Sequence, residues 1–292
     1  EPPLFNSFSA IITSKLSGAK SILHIQDFEV DAAFELGIVK AGWLKSFIYA
    51  VERFLMNRFD KVSTISEAML DKLNKKGVDS IKQLFFPNWV DTAFIYPLEN
   101  PSIYRAELNI SLSKAVALYS GNMGEKQGLE IVIQAAKELE NENVQFIMCG
   151  SGSALERLKV LAKDLKNIIW LPLQPLERLN DFLNVADIHL LPQQAGAADL
   201  VMPSKLTGML ASGRPIIATA DVYTQVEKVV QGCGVVVAPG DNTAFSQSIK
   251  TLSEDVELRE RLGVKARKYA DNNLQYEVIM KKFEKELLEL VR

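Results

Sequence analysis

From about residue 114 onward, short apolar runs bounded by Gly, Pro or Asn alternate with stretches of helical spacing. Residues 114–119, 144–149, 168–171, 188–191, 215–218 and 235–237 read as strands, and 129–139, 154–165, 176–185, 204–211 and 223–231 as helices. Continuous apolar strands with amphipathic helices between them predict a parallel sheet covered on both faces, a doubly wound α/β domain. The first hundred residues follow the same grammar more sparsely: strands at 21–25, 61–65 and 81–86, and helices at 43–59 and 67–75. A polar stretch over 98–113 reads as a linker. Apolar positions at Leu274, Val278, Phe283, Leu287 and Leu290 predict a closing helix over 272–291.

Three strands are fewer than the five or six that such a domain normally carries. The chain also opens at Glu1-Pro2-Pro3 without a methionine. The expectation is an N-terminal domain over 1–100 that is incomplete on its N-terminal side by roughly ninety to a hundred and twenty residues. A complete domain is expected over 114–268, with a closing segment over 269–292 that packs back towards the first domain.

Composition narrows the classes of function. With 292 residues, 48% hydrophobic and 24% charged, the chain has material for two packed cores. A net charge of −3 and a pI near 5.7 give no signal for nucleic acid. Cys149 and Cys233 stand far apart in apolar surroundings, without the spacing of a zinc site, and suit a reducing cytoplasm. No apolar run reaches the length of a membrane span.

Two loops carry candidate chemistry. Ser120-Gly121-Asn122-Met123-Gly124-Glu125-Lys126-Gln127-Gly128 lies between a strand and a helix, where glycines let a phosphate approach the backbone and Lys126 adds charge. The loop 193–202 contains Gly196 and Asp199 and leads to Pro203-Ser204-Lys205, where Ser204 suits an N-cap and Lys205 a phosphate contact. Each loop alone is equally compatible with ordinary turn and capping chemistry. Both follow carboxyl ends of strands in one sheet, and together they suit a diphosphate. Gly150-Ser151-Gly152 is set aside as a dinucleotide fingerprint, because Leu155 stands where the last small residue is required.

The order of motifs resembles the donor domain of retaining glycosyltransferases of the GT-B fold, family four. The residues are Gly121 to Gly128 with Leu129-Glu130, Phe146-Ile147-Met148-Cys149-Gly150-Ser151-Gly152, Ala186-Asp187-Ile188-His189-Leu190-Leu191-Pro192, Pro203-Ser204-Lys205-Leu206, Ala211-Ser212-Gly213-Arg214-Pro215 and Pro239-Gly240-Asp241. Upstream, Ser66-Glu67-Ala68-Met69 and Phe86-Pro87-Asn88-Trp89-Val90-Asp91 are similar to further family segments. His24-Ile25-Gln26-Asp27-Phe28-Glu29 resembles the subgroup associated with colanic acid and related exopolysaccharides. Two departures stand out. The family's Glu-x7-Glu spacing falls on Asp199 and Thr207, so the carboxylate that contacts the ribose is replaced. The family's Arg and Lys of the first loop fall on Asn122 and Gln127.

The resemblance implies two Rossmann-like domains facing a cleft. It also implies transfer of a sugar, with retention, from a nucleoside diphosphate sugar to a glycan or lipid-linked acceptor. Neither a metal nor a cofactor is implied. Asp199 is expected near the donor sugar and His24 on the acceptor side of the cleft, as catalytic residues; for His24 the plain alternative is a satisfied histidine at a strand end. Gly121, Asn122, Lys126, Gly150, Ser204, Lys205 and Thr207 are expected at the donor. The alternatives are a nucleotide-sugar-binding remnant without turnover, and a nucleotide-sugar epimerase or hydrolase on the same fold.

Residues 41–59 are rich in aromatics and flanked by Lys45, Arg53 and Arg58. One reading is a core helix. The other is a helix lying in the membrane interface, drawn by anionic lipid, which would put the protein at the inner face of the plasma membrane.

Overall fold

The computed structural model describes residues 3–28, 30–31, 42–195 and 203–291; the side chains of residues 3–5 and 126 lie outside that description. The chain divides into two compact units, one running to Asn88 and resuming at Glu277, the other spanning 89–276.

The first unit contains α1 (Pro3–Ser17), β1 (Ile22–Ile25), α2 (Gly42–Met56), β2 (Lys61–Thr64), α3 (Glu67–Lys75) and β3 (Gln83–Phe85). Its strands pair in parallel in the order β1-β2-β3. Ile25, Met56, Phe59, Val62, Met69 and Leu73 form the core between the sheet and the helices. Ser66 caps α3, its hydroxyl accepting from the Met69 amide at 3.2 Å, which is the physical content of the Ser66-Glu67-Ala68-Met69 segment. The strand expected over 81–86 is shorter. Asp79 accepts from the Ile81 amide and starts a tight turn over Ser80–Lys82, leaving Ile81 in solvent.

Helix α2 buries one face and exposes aromatics on the other. Leu55 and Met56 are core, whereas Trp43, Phe47 and Phe54 are 77%, 61% and 54% exposed. Glu52 is buried against Lys76, which also reaches Asp31 at 2.7 Å.

The second unit contains α4 (Ile103–Glu107), β4 (Ala115–Asn122), α5 (Glu130–Glu138), β5 (Val144–Ser151), α6 (Leu155–Leu161), β6 (Ile168–Leu171), α7 (Leu179–Leu183), β7 (Ile188–Leu191), α8 (Ser204–Ala211), β8 (Ile216–Thr219), α9 (Gln225–Val230), β9 (Gly234–Val237), α10 (Asn242–Glu254) and α11 (Val256–Asn273). Six parallel strands run in the order β6-β5-β4-β7-β8-β9. This is the doubly wound order with its reversal between β4 and β7. Helices α10 and α11, which the sequence reading left unassigned, are each started by an aspartate: Asp241 accepts from the Ala244 amide and Asp255 from the Leu258 amide.

The segment 92–98, which leads into this unit, is strapped to it. Arg267 donates to the carbonyls of Thr92, Ile95 and Ala211, and the amides of Tyr96 and Leu98 donate to Asn180 and Asn184. At the unit's two ends, the Val90 amide donates to the Leu274 carbonyl at 2.8 Å, and the Trp89 and Tyr276 rings meet edge-on at 4.6 Å. Helix α12 (Tyr276–Val291) then serves the first unit, stacking Phe283 on Phe86 at 4.2 Å.

Candidate functional site

The sheet opens where its order reverses. Strands β4 and β7 pair only at Ala117 with Ile188 and Leu118 with His189. Beyond that point β4 follows β5 through Asn122, while β7 follows β8. The carboxyl ends of β4 and β7 therefore part, leaving the crevice in which doubly wound sheets bind ligands.

Glycines let β4 and β5 stay paired to the rim. The expected loop from Ser120 is strand as far as Asn122, because Gly121 and Gly150 face one another with φ of 141° each. A Cβ on Gly150 would lie 1.9 Å from the Gly121 carbonyl oxygen, and one on Gly152 2.4 Å from that of Met123. The neighbouring strand thus requires glycine at 150 and accounts for that residue without a ligand. Asn122 ends β4 exposed. Gln127 caps the turn over Glu125–Gln127 by accepting from the Gly124 amide at 3.1 Å, so the side chain that replaces the expected basic residue closes its own loop. Lys126 lies on that turn, with its side chain outside the described residues.

Lys205 enters the crevice from the other wall. It is the second residue of α8, and its Nζ lies 3.6 Å from the position a Gly121 Cβ would take. Its ammonium sits 4.2 Å from the centre of the Tyr119 ring. Burial draws its pKa down to about 8, and among the described residues no carboxylate pairs with it. Tyr119 is fully buried and donates its hydroxyl to the Asn122 carbonyl at 2.5 Å. Burial raises that phenol well above its ordinary range, so it stays protonated.

The other expected residues divide. Pro203, not Ser204, takes the cap position of α8; Ser204 is the exposed first helical residue. Thr207 is buried and donates its hydroxyl to the Ser204 carbonyl at 2.8 Å, so its oxygen is engaged within its own helix. Asp199 lies outside the described residues. His24, in the first unit, has partners at both ring nitrogens: Ser63 Oγ at 2.9 Å from Nδ1 and the Gln26 amide at 3.3 Å from Nε2. Burial lowers the pKa of the ring, which keeps it neutral.

Two residues of the crevice escaped the sequence reading. Tyr119 carried no signal beyond an aromatic ahead of Ser120-Gly121. Gln193 carried none: Thr219 Oγ1 ties down its backbone at both N and O, at 2.7 Å each, while its side-chain Oε1 is buried with no partner among the described residues. A hollow of about 490 Å³ lined by Arg214, Arg259 and Arg267 lies at the opposite, amino edge of the sheet, beside Asp187 and Pro215, and is no part of this crevice.

The family described as "Glycosyl transferases group 1" matches residues 102–269, and "Glycosyl transferase 4-like domain" matches residues 3–89. The chain is 38% identical to WcaI of Escherichia coli K12, a glycosyl transferase named for colanic acid biosynthesis, over 97% of this chain and 71% of that one. It is 25% identical to WbjE of Pseudomonas aeruginosa, named as a glycosyltransferase, over 81% of this chain and 60% of that one. Among solved structures, HepE of Anabaena with UDP superimposes with a TM-score of 0.81 at 15% identity, covering 98% of this chain and 77% of that one. Sucrose-phosphate synthase of Thermosynechococcus elongatus gives 0.79 at 17%, covering 98% and 72%. Family models over residues 3–89 and 102–269, a relative 38% identical over 97% of this chain, and the match of its α/β units to solved structures make this chain a glycosyltransferase of the group 1 family with the GT-B fold.

Proposed function

We propose that the enzyme moves a sugar from a nucleoside diphosphate sugar to a glycan or lipid-linked acceptor, with retention and without a metal, in the assembly of an exopolysaccharide. The observation that carries this reading is the Lys205 ammonium, a cation without a carboxylate among the described residues, held at the crevice beside Gly121. An unpaired, partly desolvated cation is costly until an anion meets it. A diphosphate leaving group gains most from such a charge as its bond to the sugar breaks. Two helix starts, those of α5 and α8, follow the same two loops and add their dipoles. In the retaining reaction the acceptor oxygen bonds to the anomeric carbon on the face that the diphosphate leaves. The anomeric C–O bond breaks towards the diphosphate, and the acceptor proton passes to the departing phosphate oxygen. No pair of catalytic carboxylates is then needed.

HepE has been solved with UDP and with UDP-glucose, which favours a uridine donor. WcaI is named for colanic acid biosynthesis, which favours an exopolysaccharide product. The exposed aromatics of α2, together with Lys45 and Arg58, support contact with an anionic membrane at its inner face, where a lipid-linked acceptor would be met.

The test supplies UDP- and GDP-sugars with and without a polyprenyl-diphosphate acceptor, and follows product by mass and anomeric configuration. Acceptor-dependent transfer with retention is expected. Release of free sugar regardless of acceptor, or inversion, overturns the proposal. Lys205→Ala should weaken UDP binding by about 1.5–3 kcal/mol, the usual worth of a charge-assisted contact; an unchanged dissociation constant in the folded variant removes Lys205 from the donor site.

A further inference from the structure

The structure assigns a role to Tyr119: we infer that it is the positioning residue of the donor site, its ring seating the Lys205 ammonium and its hydroxyl latching the rim of β4 at Asn122. This rests on the reading of Lys205 as the diphosphate contact and adds to it the device that holds the lysine in place. Lysine has a flexible four-carbon stem and a strongly hydrated head, so a lysine that is to meet a phosphate in one place needs a seat. A carboxylate seat would neutralise it and compete with the ligand. An aromatic face attracts the cation without cancelling its charge.

Tyr119 meets both demands of the crevice. Its ring centre is 4.2 Å from Lys205 Nζ, on one wall. Its hydroxyl donates to the Asn122 carbonyl at 2.5 Å, on the other. Between these two anchors stands Gly121, where an added Cβ would meet the Lys205 side chain at 3.4 Å and the Tyr119 oxygen at 3.9 Å. The ring belongs to the core, packed among residues that include Ala117, Met148 and Ile188, so it cannot swing away. One buried side chain thus couples the end of β4 to the start of α8. Lys205 arrives at the diphosphate already placed, and the rim that would carry the neighbouring amides is pinned at the same time.

The experiment compares UDP affinity when position 119 carries tyrosine, phenylalanine or pentafluorophenylalanine, each with Lys205 and with Lys205→Ala. The fluorinated ring keeps the shape of phenylalanine, which avoids unfolding the core, and reverses the charge distribution of its face. With Lys205 present, the fluorinated form should bind UDP about tenfold more weakly than the phenylalanine form, as expected for a desolvated cation over a ring. In the Lys205→Ala background the two should bind alike. Tyr119→Phe should bind severalfold more weakly than the wild type in both backgrounds, because it loses only the latch. Equal UDP affinity for the two rings with Lys205 present, or an equal loss in both backgrounds, overturns the seat. If Lys205→Ala alone leaves UDP binding unchanged, the donor assignment of the lysine fails instead.

Discussion

Gly150 stands opposite Gly121 in the paired ends of β5 and β4, so close that a Cβ would overlap the Gly121 carbonyl oxygen at 1.9 Å. Backbone on backbone leaves nothing to rotate out of the way, and the φ of 141° is foreign to any side-chain-bearing residue. Gly150→Ala should therefore cost at least about 3 kcal/mol and lower Tm by roughly 6–12 °C. A variant melting within about 2 °C of the wild type would show that the rim yields more easily than its geometry implies.

His189 lies in the middle of the same sheet with no exposed surface. Its Nε2 donates to Ser212 Oγ at 3.0 Å, Ser212 donates onward to the Met209 carbonyl, and Nδ1 has no partner among the described residues. Burial first, and the nearby Arg214 charge second, draw its pKa from 6.5 down to about 3. The unfolded chain then binds a proton that the folded chain refuses, so stability falls as pH drops from 6.5 towards 3. The loss should reach a few kcal/mol in all, on the order of 1.4 per pH unit. Melting curves of His189→Gln between pH 7 and 4 should show a shallower acid limb than the wild type. Parallel limbs would mean that the acid sensitivity comes from elsewhere.

Asp199 keeps the first carboxylate position of the family's Glu-x7-Glu pattern in shortened form. Asp199→Asn should leave donor affinity within about threefold and lower kcat at least about tenfold, as for a group that acts mainly in the transition state. The opposite pattern, lost binding with normal turnover, would reverse its role.

The outer face of α2 presents Trp43, Phe47 and Phe54, while Leu55 and Met56 hold the helix to its core. The protein should sediment with vesicles containing phosphatidylglycerol and be released as salt screens the attraction. Trp43→Ser combined with Lys45→Glu should abolish sedimentation at an unchanged Tm, since Trp43 is outside the core. A wild type that stays in the supernatant at low salt would end the membrane reading.

Much of the six-stranded sheet was legible because buried parallel strands advertise themselves as unbroken apolar runs. The ends of those runs were less so. Gly121 and Gly150 look like loop residues in sequence, yet pair as strand because a glycine facing a glycine can come closer than other residues. Ile81 looked like strand, but the Asp79 cap overrode its β-branched preference. Ser204 was the natural helix cap by residue type, and Pro203 took the place instead. Tyr119 under Lys205 and Thr219 holding Gln193 join residues far apart in the chain, and no local pattern encodes such meetings. Helix α2 shows a further limit: periodicity finds an amphipathic helix but does not say what lies against its second apolar face.

The bond from the Val90 amide to the Leu274 carbonyl, beside the crossed rings of Trp89 and Tyr276, means that the chain departs from the second unit almost where it arrived. A module whose two ends touch can be lifted out, closed on itself or exchanged as a cassette with little strain. The seams for such grafting lie just before Trp89 and just after Tyr276, and must carry the Arg267-bound strap with them. A cut at Lys114 would instead take the Thr92 and Ile95 carbonyls from Arg267 and the Tyr96 and Leu98 amides from Asn180 and Asn184.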